Sequence, residues 1–392
     1  MLSIDVAQRR ARLARRHLLS GPPAADVETA TDAMVCLHAT DPAGLFLSAW
    51  ARVDGFTVDE LERAMYTDLT LVKQLAMRRT LFVFPRDLLP VALAGASARV
   101  ARTERARLAK LVETEGIADD GEAWLARACD EVLAELTAGG PANATSLRRR
   151  VPHVEASVEH SQGKAYAGRF ALVGRVLTVL SAEGRVTRAA NEGRWTSSRP
   201  LWAATEQVLG PLPVLDEDEA RTRLVERWLR AFGPGTEADV KWWLGSTLTA
   251  VRRSLAELSV VEVDLDGRPG WVLPDDVDPV EPVEPWVALL PALDPTVMGW
   301  SERDWYVGAH RAQVFDTVGN AGPTVWWDGR VVGGWDITPR GEVEVLLLED
   351  VGRDARAAID ARAEELTGWL AGTPVLPRFP SSVTAALRAA RR

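Results

Sequence analysis

The sequence contains few cysteines, few lysines and no long apolar run. Its two cysteines, Cys36 and Cys129, are too few for a disulfide framework or a zinc cluster, so a reducing cytoplasm is the expected compartment. No apolar run approaches the ~20 residues that a membrane-spanning helix needs. The N-terminal region mixes arginines with apolar residues, which is typical of an amphipathic helix rather than a signal peptide. We therefore expect a soluble protein.

Familiar catalytic signatures are missing as well. The sequence has no HExxH, no GxxxxGKS loop, no GxSxG and no CxxC pair, so we predict neither a metal nor a cofactor. Lysine supplies only four of the 46 basic residues, at positions 73, 110, 164 and 241. Few side chains could therefore form a Schiff base.

The net charge of −9 argues at first against a nucleic-acid partner, but the charge is unevenly distributed. Residues 1–200 carry 27 basic and 24 acidic side chains, whereas residues 201–392 carry 19 basic and 31 acidic ones. DNA binding depends on local basic surface rather than on total charge. Each basic run, such as RRARLARR at 9–16, is nevertheless more often a solvated helix face than a binding site.

One order of elements recurs along the chain: a short helix, a turn, a longer helix and a two-stranded hairpin. The first copy opens at a capping box formed by Thr57 and Glu60, continues through TLVKQLAMR as a second helix and ends in the β-rich LFVFP. The second copy starts at NATSLRRRV, where Asn143 or Thr145 is the expected cap, and ends in a polar hairpin that turns near 191–193.

The third copy has the clearest local signals. Thr236 and Asp239 form a helix cap, and Asp266-Gly267 predicts a hairpin turn. Helix, turn, helix and two-stranded wing is the order of a winged helix. We therefore expect winged-helix units near residues 55–85, 142–200 and 220–275.

A different composition begins after the third copy. The acidic, proline-rich DDVDPVEPVEP predicts a connector, and a β-rich block follows, in which Asp328-Gly329 predicts a tight turn beside Arg330. The predicted fold is α+β and mostly helical, a tandem winged-helix array with a β-rich C-terminal block. The expected domains are an N-terminal helical region with the first winged helix and the catalytic segment (1–140), second and third winged helices (141–215 and 216–275), and the block with a DNA-facing hairpin (284–392).

His38 lies directly before a recognisable helix start. Asp41-Pro42 has the form of an N-cap followed by proline at the first helical position. If the preceding residues are extended, His38 and Thr40 point to the same face. Two interpretations stay open: a polar pair that acts on a ligand, or a threonine that helps the cap beside a satisfied buried histidine. Spacing alone favours the second.

Six segments resemble the AlkZ/YcaQ family of bacterial winged-helix DNA glycosylases, in the family's order and over almost the whole chain. They are RLARRHLLSGP, CLHATDPAGLFLSAWARV, RRTLFVFPRDLLP, GRVTRAANEGRW, LLPALDPTVMGWSERDW and TVWWDGRVVGGW. The family's fold wraps winged-helix units around a concave DNA-binding surface, and its members remove alkylated purines. Its catalytic signature is glutamine, an apolar residue, then glutamine or aspartate, just before a DP helix start. His38, Ala39 and Thr40 stand at those positions here.

The resemblance implies a monofunctional DNA glycosylase that hydrolyses the N-glycosidic bond of bulky N7-alkylguanines in duplex DNA, with self-resistance to a DNA-alkylating antibiotic as its role. His38 would accept a hydrogen bond or the proton from the attacking water, with a pKa near the working pH, and Thr40 would hold the same water. The alternative is a non-catalytic winged-helix DNA-binding protein, either a regulator or an adduct sensor. In both cases we expect a cytoplasmic monomer.

Six arginines beside the predicted hairpins are the candidates for contacts with DNA phosphates. They are Arg78 and Arg79 in the first copy, Arg185, Arg188 and Arg194 in the second, and Arg330 in the late hairpin. The alternative use of each is a surface ion pair, worth roughly 0–1 kcal/mol.

Overall fold

The computed structural model describes residues 2–160 and 168–391. The chain opens with strand β1 (Leu2–Ser3) and helix α1 (Val6–Arg16). Arginines of α1 bind the acidic connector: Arg12 Nη2 donates to the carbonyl of Asp278 at 2.6 Å, and Arg15 Nη2 donates to the carbonyl of Glu281 at 2.9 Å. The basic run at 9–16 therefore ties the N-terminal helix to the connector.

The first helix–strand unit is a winged helix. It consists of α2 (Val27–Ala33), β2 (Leu37–His38), α3 (Pro42–Trp50), α4 (Val58–Tyr66), β3 (Leu71–Ala76) and β4 (Thr80–Pro85). Strand β4 lies between β2 and β3 and is antiparallel to both. The β3–β4 hairpin forms the wing, and His38 lies on the edge strand β2.

The segment TLVKQLAMR is a strand, so its assignment as a helix was wrong. Residues Leu71–Ala76 pair along β4 over their whole length, from Leu71 opposite Pro85 to Ala76 opposite Thr80. Its apolar residues fit helical spacing and strand alternation almost equally well over so short a run, and pairing with β4 decides between the two. The helices of this unit are α2, α3 and α4, so the unit also includes residues before 55.

The second unit follows α5 (Leu89–Ala92) and α6 (Ala98–Thr114) and repeats the same order. It consists of α7 (Gly121–Gly139), α8 (Ala144–Arg150), β5 (Ser157–His160), β6 (Gly168–Ala171), α9 (Leu172–Ala182), β7 (Val186–Asn191) and β8 (Pro200–Ala204), followed by α10 (Thr205–Leu209). A bridge between Ala142 and Trp202 takes the place of the first strand, and the β5–β6 hairpin is inserted between the helices. Asn143 caps α8, in agreement with the sequence.

The third unit repeats the order once more. It consists of α11 (Glu217–Phe232), α12 (Glu237–Leu244), α13 (Leu248–Glu257), β9 (Val261–Asp264) and β10 (Pro269–Val272). The predicted cap is confirmed, because Thr236 and Asp239 form a complete capping box at the start of α12. The predicted turn is confirmed as well, with Asp266 and Gly267 at φ 53° and 84°.

The C-terminal block is a four-stranded antiparallel sheet with helices around it. It consists of β11 (Val287–Leu290), α14 (Asp304–Val307), α15 (Arg311–Val314), β12 (Thr324–Trp327), β13 (Arg330–Ile337), β14 (Val343–Leu347), α16 (Arg353–Leu370) and α17 (Ser382–Ala390). Asp328 and Gly329 form the predicted two-residue turn between β12 and β13.

One hydrophobic core is shared by the first unit, the third unit and the C-terminal block, while the second unit has its own core. The edge strand β2 thus lies where several parts of the chain meet.

Within residues 2–160 and 168–391, no helix combines the length and apolar character required to cross a bilayer.

Candidate functional site

His38 lies at the end of β2, where the chain turns into α3. It pairs with Phe82 of β4, and the two rings meet edge to face with centroids 5.2 Å apart. The side chain is only 8% exposed. Its Nδ1 accepts a long hydrogen bond, 3.4 Å, from the backbone N–H of Thr40. The imidazole is therefore oriented by its own loop, and among the described residues Nε2 has no hydrogen-bond partner.

Thr40 is less buried than His38 and is held by the far C-terminal segment. Arg378 Nη1 donates to the carbonyl of Thr40 at 3.4 Å, and the backbone N–H of Arg378 donates to the carboxylate of Asp41 at 3.3 Å. Asp41 is the N-cap residue of α3 and Pro42 its first residue, as the sequence predicts. The Thr40 hydroxyl has no hydrogen-bond partner among the residues that the structure describes, so it can bind a ligand or water.

The expectation of a His38 pKa near the working pH was wrong. Burial, and then the charge of Arg78, lower the pKa of His38 to about 3, while Asp294 opposes the shift. The ring is thus neutral at physiological pH. Because Nδ1 faces the Thr40 N–H, we assign its proton to Nε2. This tautomer donates a hydrogen bond outward and is a poor general base.

The wing of the first unit brings Arg78 close to His38. Arg78 and Arg79 both adopt left-handed backbone angles, with φ of 53° and 60°. Two successive non-glycine residues in this region are strained, and tight hairpins usually place Asn-Gly there. The turn holds the Arg78 guanidinium carbon 3.9 Å from the ring centroid of Trp242. Arg78 Nε is buried without a hydrogen-bond partner among the described residues.

Two of the other predicted arginines also lack a carboxylate partner among the described residues. Arg188 lies over the ring of Trp202, with 4.7 Å between its guanidinium carbon and the ring centroid, and Arg194 is exposed in the loop between β7 and β8. Burial lowers the pKa of Arg188 to about 10, which still leaves it protonated at neutral pH. Neither charge is therefore neutralised by a carboxylate of the described residues.

The remaining three candidates form ion pairs. Arg79 pairs with Glu104 at 2.7 Å, Arg185 with Asp130 at 2.9 Å, and Arg330 with Glu349 at 2.9 Å. Of the six arginines, Arg78 lies close enough to His38 for its charge to lower the pKa of the imidazole. Three others are paired with a carboxylate of the same chain.

The helices that usually enter a DNA groove in winged-helix proteins are not basic here. Helix α4 carries Asp59, Glu60 and Glu62, and α9 is largely buried. On α13, Arg252 and Arg253 are engaged by Glu237 and Asp218. A nucleic acid would therefore meet the wings and loops rather than these helices.

Sequence reasoning missed three residues around the site: Arg378, Trp242 and Arg303. Arg378 lies 338 residues beyond Thr40, so no local spacing connects them. Arg303 falls in the segment LLPALDPTVMGWSERDW, and the resemblance of that segment was the one signal that could have found it.

Nowhere in residues 2–160 and 168–391 do three histidine, cysteine, aspartate or glutamate side chains form a possible metal site.

Comparison with known proteins gives a consistent result. A family model described as DNA glycosylase AlkZ-like matches residues 31–369. The "Interstrand DNA cross-link repair glycosylase" of Streptomyces sahachiroi is 28% identical over 199 residues, which cover 48% of this chain and 53% of that protein. The chain thus spans about half the length of this curated relative.

A solved structure, the Streptomyces sahachiroi DNA glycosylase AlkZ, matches with a TM-score of 0.75 and 20% identity, covering 96% of this chain and 99% of that one. Likeness at this identity shows the fold, and it confirms the predicted α+β winged-helix array.

Proposed function

The chain belongs to the AlkZ-like DNA glycosylase family, and we propose that it is a monofunctional glycosylase for bulky N7-alkylguanines in duplex DNA. A purine alkylated at N7 is cationic and already a good leaving group. The bond between C1′ and N9 breaks with its electron pair moving onto the base, which becomes neutral. The protein must then place a water beneath C1′ and stabilise an oxocarbenium-like sugar.

The observation that carries this proposal is the hydroxyl of Thr40, which has no hydrogen-bond partner among the described residues and lies beside the neutral ring of His38. The attacking water would accept a hydrogen bond from His38 Nε2 and donate one to Thr40 Oγ1. Its second lone pair would then face C1′, and its proton would pass to solvent after the C–O bond forms. Neither side chain needs to take the proton, which suits a pKa of about 3 at His38.

The name of the Streptomyces sahachiroi relative refers to repair of interstrand cross-links. In such a lesion a base of one strand is covalently joined to a base of the other, and the same reaction would release the linked purine from its sugar. We propose self-resistance to a DNA-alkylating antibiotic as the physiological role. A non-catalytic adduct sensor is the second candidate. It is favoured by one observation: Asp41, the carboxylate next to Thr40, is buried and accepts a hydrogen bond from the Arg378 backbone, so this carboxylate is engaged within the protein rather than free to act as a base.

The proposed function predicts abasic sites in duplex DNA that carries a bulky N7-alkylguanine. Purified protein should release the modified base in single-turnover reactions, and strands should break only after alkali treatment, because no lysine neighbours His38 and Thr40 in the sequence. Duplexes with N7-methylguanine and with unmodified guanine are the controls. Tight binding to the adduct without base release would favour the sensor and contradict the glycosylase.

We also propose that all six candidate arginines contact DNA phosphates. Replacing Arg78, Arg188 and Arg194 together with glutamine should reduce the slope of log affinity against log salt by up to ~2.7, because each lost phosphate contact contributes ~0.9. Kd values for undamaged duplex, measured over a range of salt concentrations, would check this.

The matched control replaces the three ion-paired arginines, Arg79, Arg185 and Arg330, with glutamine. These residues must exchange a carboxylate for a phosphate, so their combined loss should reduce the salt slope by a smaller amount. A wild-type slope in both triple variants would show that these arginines serve only within the protein.

A further inference from the structure

A large cavity that the proposed chemistry does not use opens where the first wing, α12 and residues 301–320 meet. Its volume is about 890 Å³, and Arg78, Arg303 and Arg311 line it together with Trp242 and Phe315. Arg78 comes from the wing of the first unit, whereas Arg303 and Arg311 lie eight residues apart in the C-terminal block. Folding thus gathers three cations around one opening.

The aromatic rings of this cavity are already covered by guanidinium groups. Around Trp242, the guanidinium carbons of Arg78 and Arg303 lie 3.9 Å and 4.6 Å from the ring centroid. Around Phe315, those of Arg303 and Arg311 lie at 4.4 Å and 5.7 Å. A nucleobase would have to displace an arginine before it could stack, so the lining favours an anion over a base.

Among the described residues, three guanidinium groups line the cavity against a single carboxylate. Asp316 is the one carboxylate in the lining, and it accepts hydrogen bonds from the backbone N–H groups of Val318 and Asn320 at 3.0 and 2.8 Å. Arg78, Arg303 and Arg311 form no salt bridge with any residue that the structure describes. Burial and the charge of Arg303 lower the pKa of Arg78 to about 10, so Arg78 stays protonated at neutral pH.

We propose that this cavity binds a phosphate group of the DNA strand beside the nucleotide whose base is removed. Guanidinium forks match the geometry of phosphate oxygens, and Arg78 Nε has no partner among the described residues. The inference rests on the proposed function, because it takes DNA as the ligand. It adds Arg303 and Arg311 to the residues that recognise the substrate.

Two connections place the cavity beside His38 and Thr40. Arg78 lines the cavity and also lies close enough to His38 for its charge to lower the pKa of the ring. On the other side, Ser382 donates to the carbonyl of the lining residue Ala312 at 3.4 Å, and Arg378 just before it holds Thr40. The proposal accordingly places a phosphate bound here next to the reacting sugar.

A phosphate in this cavity would also favour the chemistry. Positive charge develops on the sugar during bond cleavage, and unneutralised guanidinium groups nearby would oppose it. A bound phosphate, with one negative charge, offsets part of the charge of the arginines and fixes the position of the sugar attached to it.

The test measures binding and does not depend on base release. Arg311 is exposed, so Arg311→Gln should leave the core intact. With a duplex that carries an uncleavable abasic analogue, this variant should bind about tenfold more weakly and lower the salt slope by ~0.9. The matched control is Arg356→Gln, which removes an exposed arginine of α16 and should change neither quantity.

Single methylphosphonate linkages, which remove the charge of one phosphate, identify the partner. Scanned along the strand, one position next to the abasic analogue should weaken the wild type about tenfold and leave Arg311→Gln unaffected. Equal losses in both proteins at every position would overturn the proposal. A second result would also overturn it: no methylphosphonate position distinguishes the two proteins, but inorganic phosphate raises the melting temperature of the wild type. The site would then bind free phosphate rather than DNA.

The same measurements separate this inference from the proposed function. If one methylphosphonate position weakens the wild type but not Arg311→Gln, and the protein releases no base, the phosphate site is supported and the glycosylase is rejected. Base release without coupling at any phosphate would overturn only the phosphate site.

Discussion

Replacing His38 with alanine is expected to slow base release about 100-fold, the loss typical of one preorganised hydrogen-bond donor. The Kd for adduct-containing DNA should stay nearly unchanged, because His38 acts on the water and the transition state rather than on phosphates. Single-turnover excision and a separate binding titration measure the two effects. His38→Gln should keep measurable activity, since its amide N–H can replace Nε2 as the donor.

Thr40→Ala should cost about tenfold, the equivalent of one positioning hydrogen bond. If both side chains hold one water, the double variant should be little slower than His38→Ala alone. The wild-type rate should also show no step near pH 6.5, because burial lowers the pKa of His38 to about 3 and the ring stays neutral throughout. A titration near 6.5 would contradict the buried, neutral histidine.

A purely structural role for His38 gives a different outcome. The ring packs against Phe82 with centroids 5.2 Å apart, so alanine could lower stability without touching catalysis. In that case the variant melts at a lower temperature but excises adducts at the wild-type rate once folded. Melting curves recorded beside the excision assay distinguish the two roles.

Local signals in the sequence predicted the turns and caps of the fold. Thr236 and Asp239 bond to each other across three residues, and Asp328-Gly329 supplies its own positive φ angles. Such features depend on neighbouring residues only. Strand β3 shows the opposite case, because its burial depends on pairing with β4 and packing against the second unit, neither of which its own residues specify.

The same division applies to the candidate site. The family resemblance and the helix start at Asp41-Pro42 were enough to select His38 and Thr40. The pKa of His38 could not be predicted, because it depends on burial and on Arg78 from a separate hairpin. Arg378 was beyond prediction because the hydrogen bond to Thr40 joins opposite ends of the chain.

A buried ion pair joins the first unit to the C-terminal block. Arg52 and Asp294 are both fully buried, with 2.8 Å between Nη2 and Oδ1. Ser48 of α3 donates to Asp294 Oδ2 at 2.6 Å, and Thr296 accepts from Arg52 at 2.8 Å. The hydrogen bonds leave little of either charge unsatisfied, and the helix that follows Thr40 is thereby fixed to the segment after β11.

Breaking this pair should cost far more stability than breaking an exposed ion pair. Asp294→Ala leaves the Arg52 guanidinium buried without its counter-charge, which typically costs about 3–5 kcal/mol of the free energy of unfolding. The matched control is Asp68→Ala, which removes an exposed pair with Arg63 and should cost roughly 0–1 kcal/mol. Chemical denaturation of both variants checks the difference.

Replacing both partners, as Arg52→Met with Asp294→Leu, should recover much of the loss, because no unpaired charge remains. A double variant as unstable as Asp294→Ala would show that the hydrogen bonds to Ser48 and Thr296, rather than the paired charges, hold the two parts of the chain together.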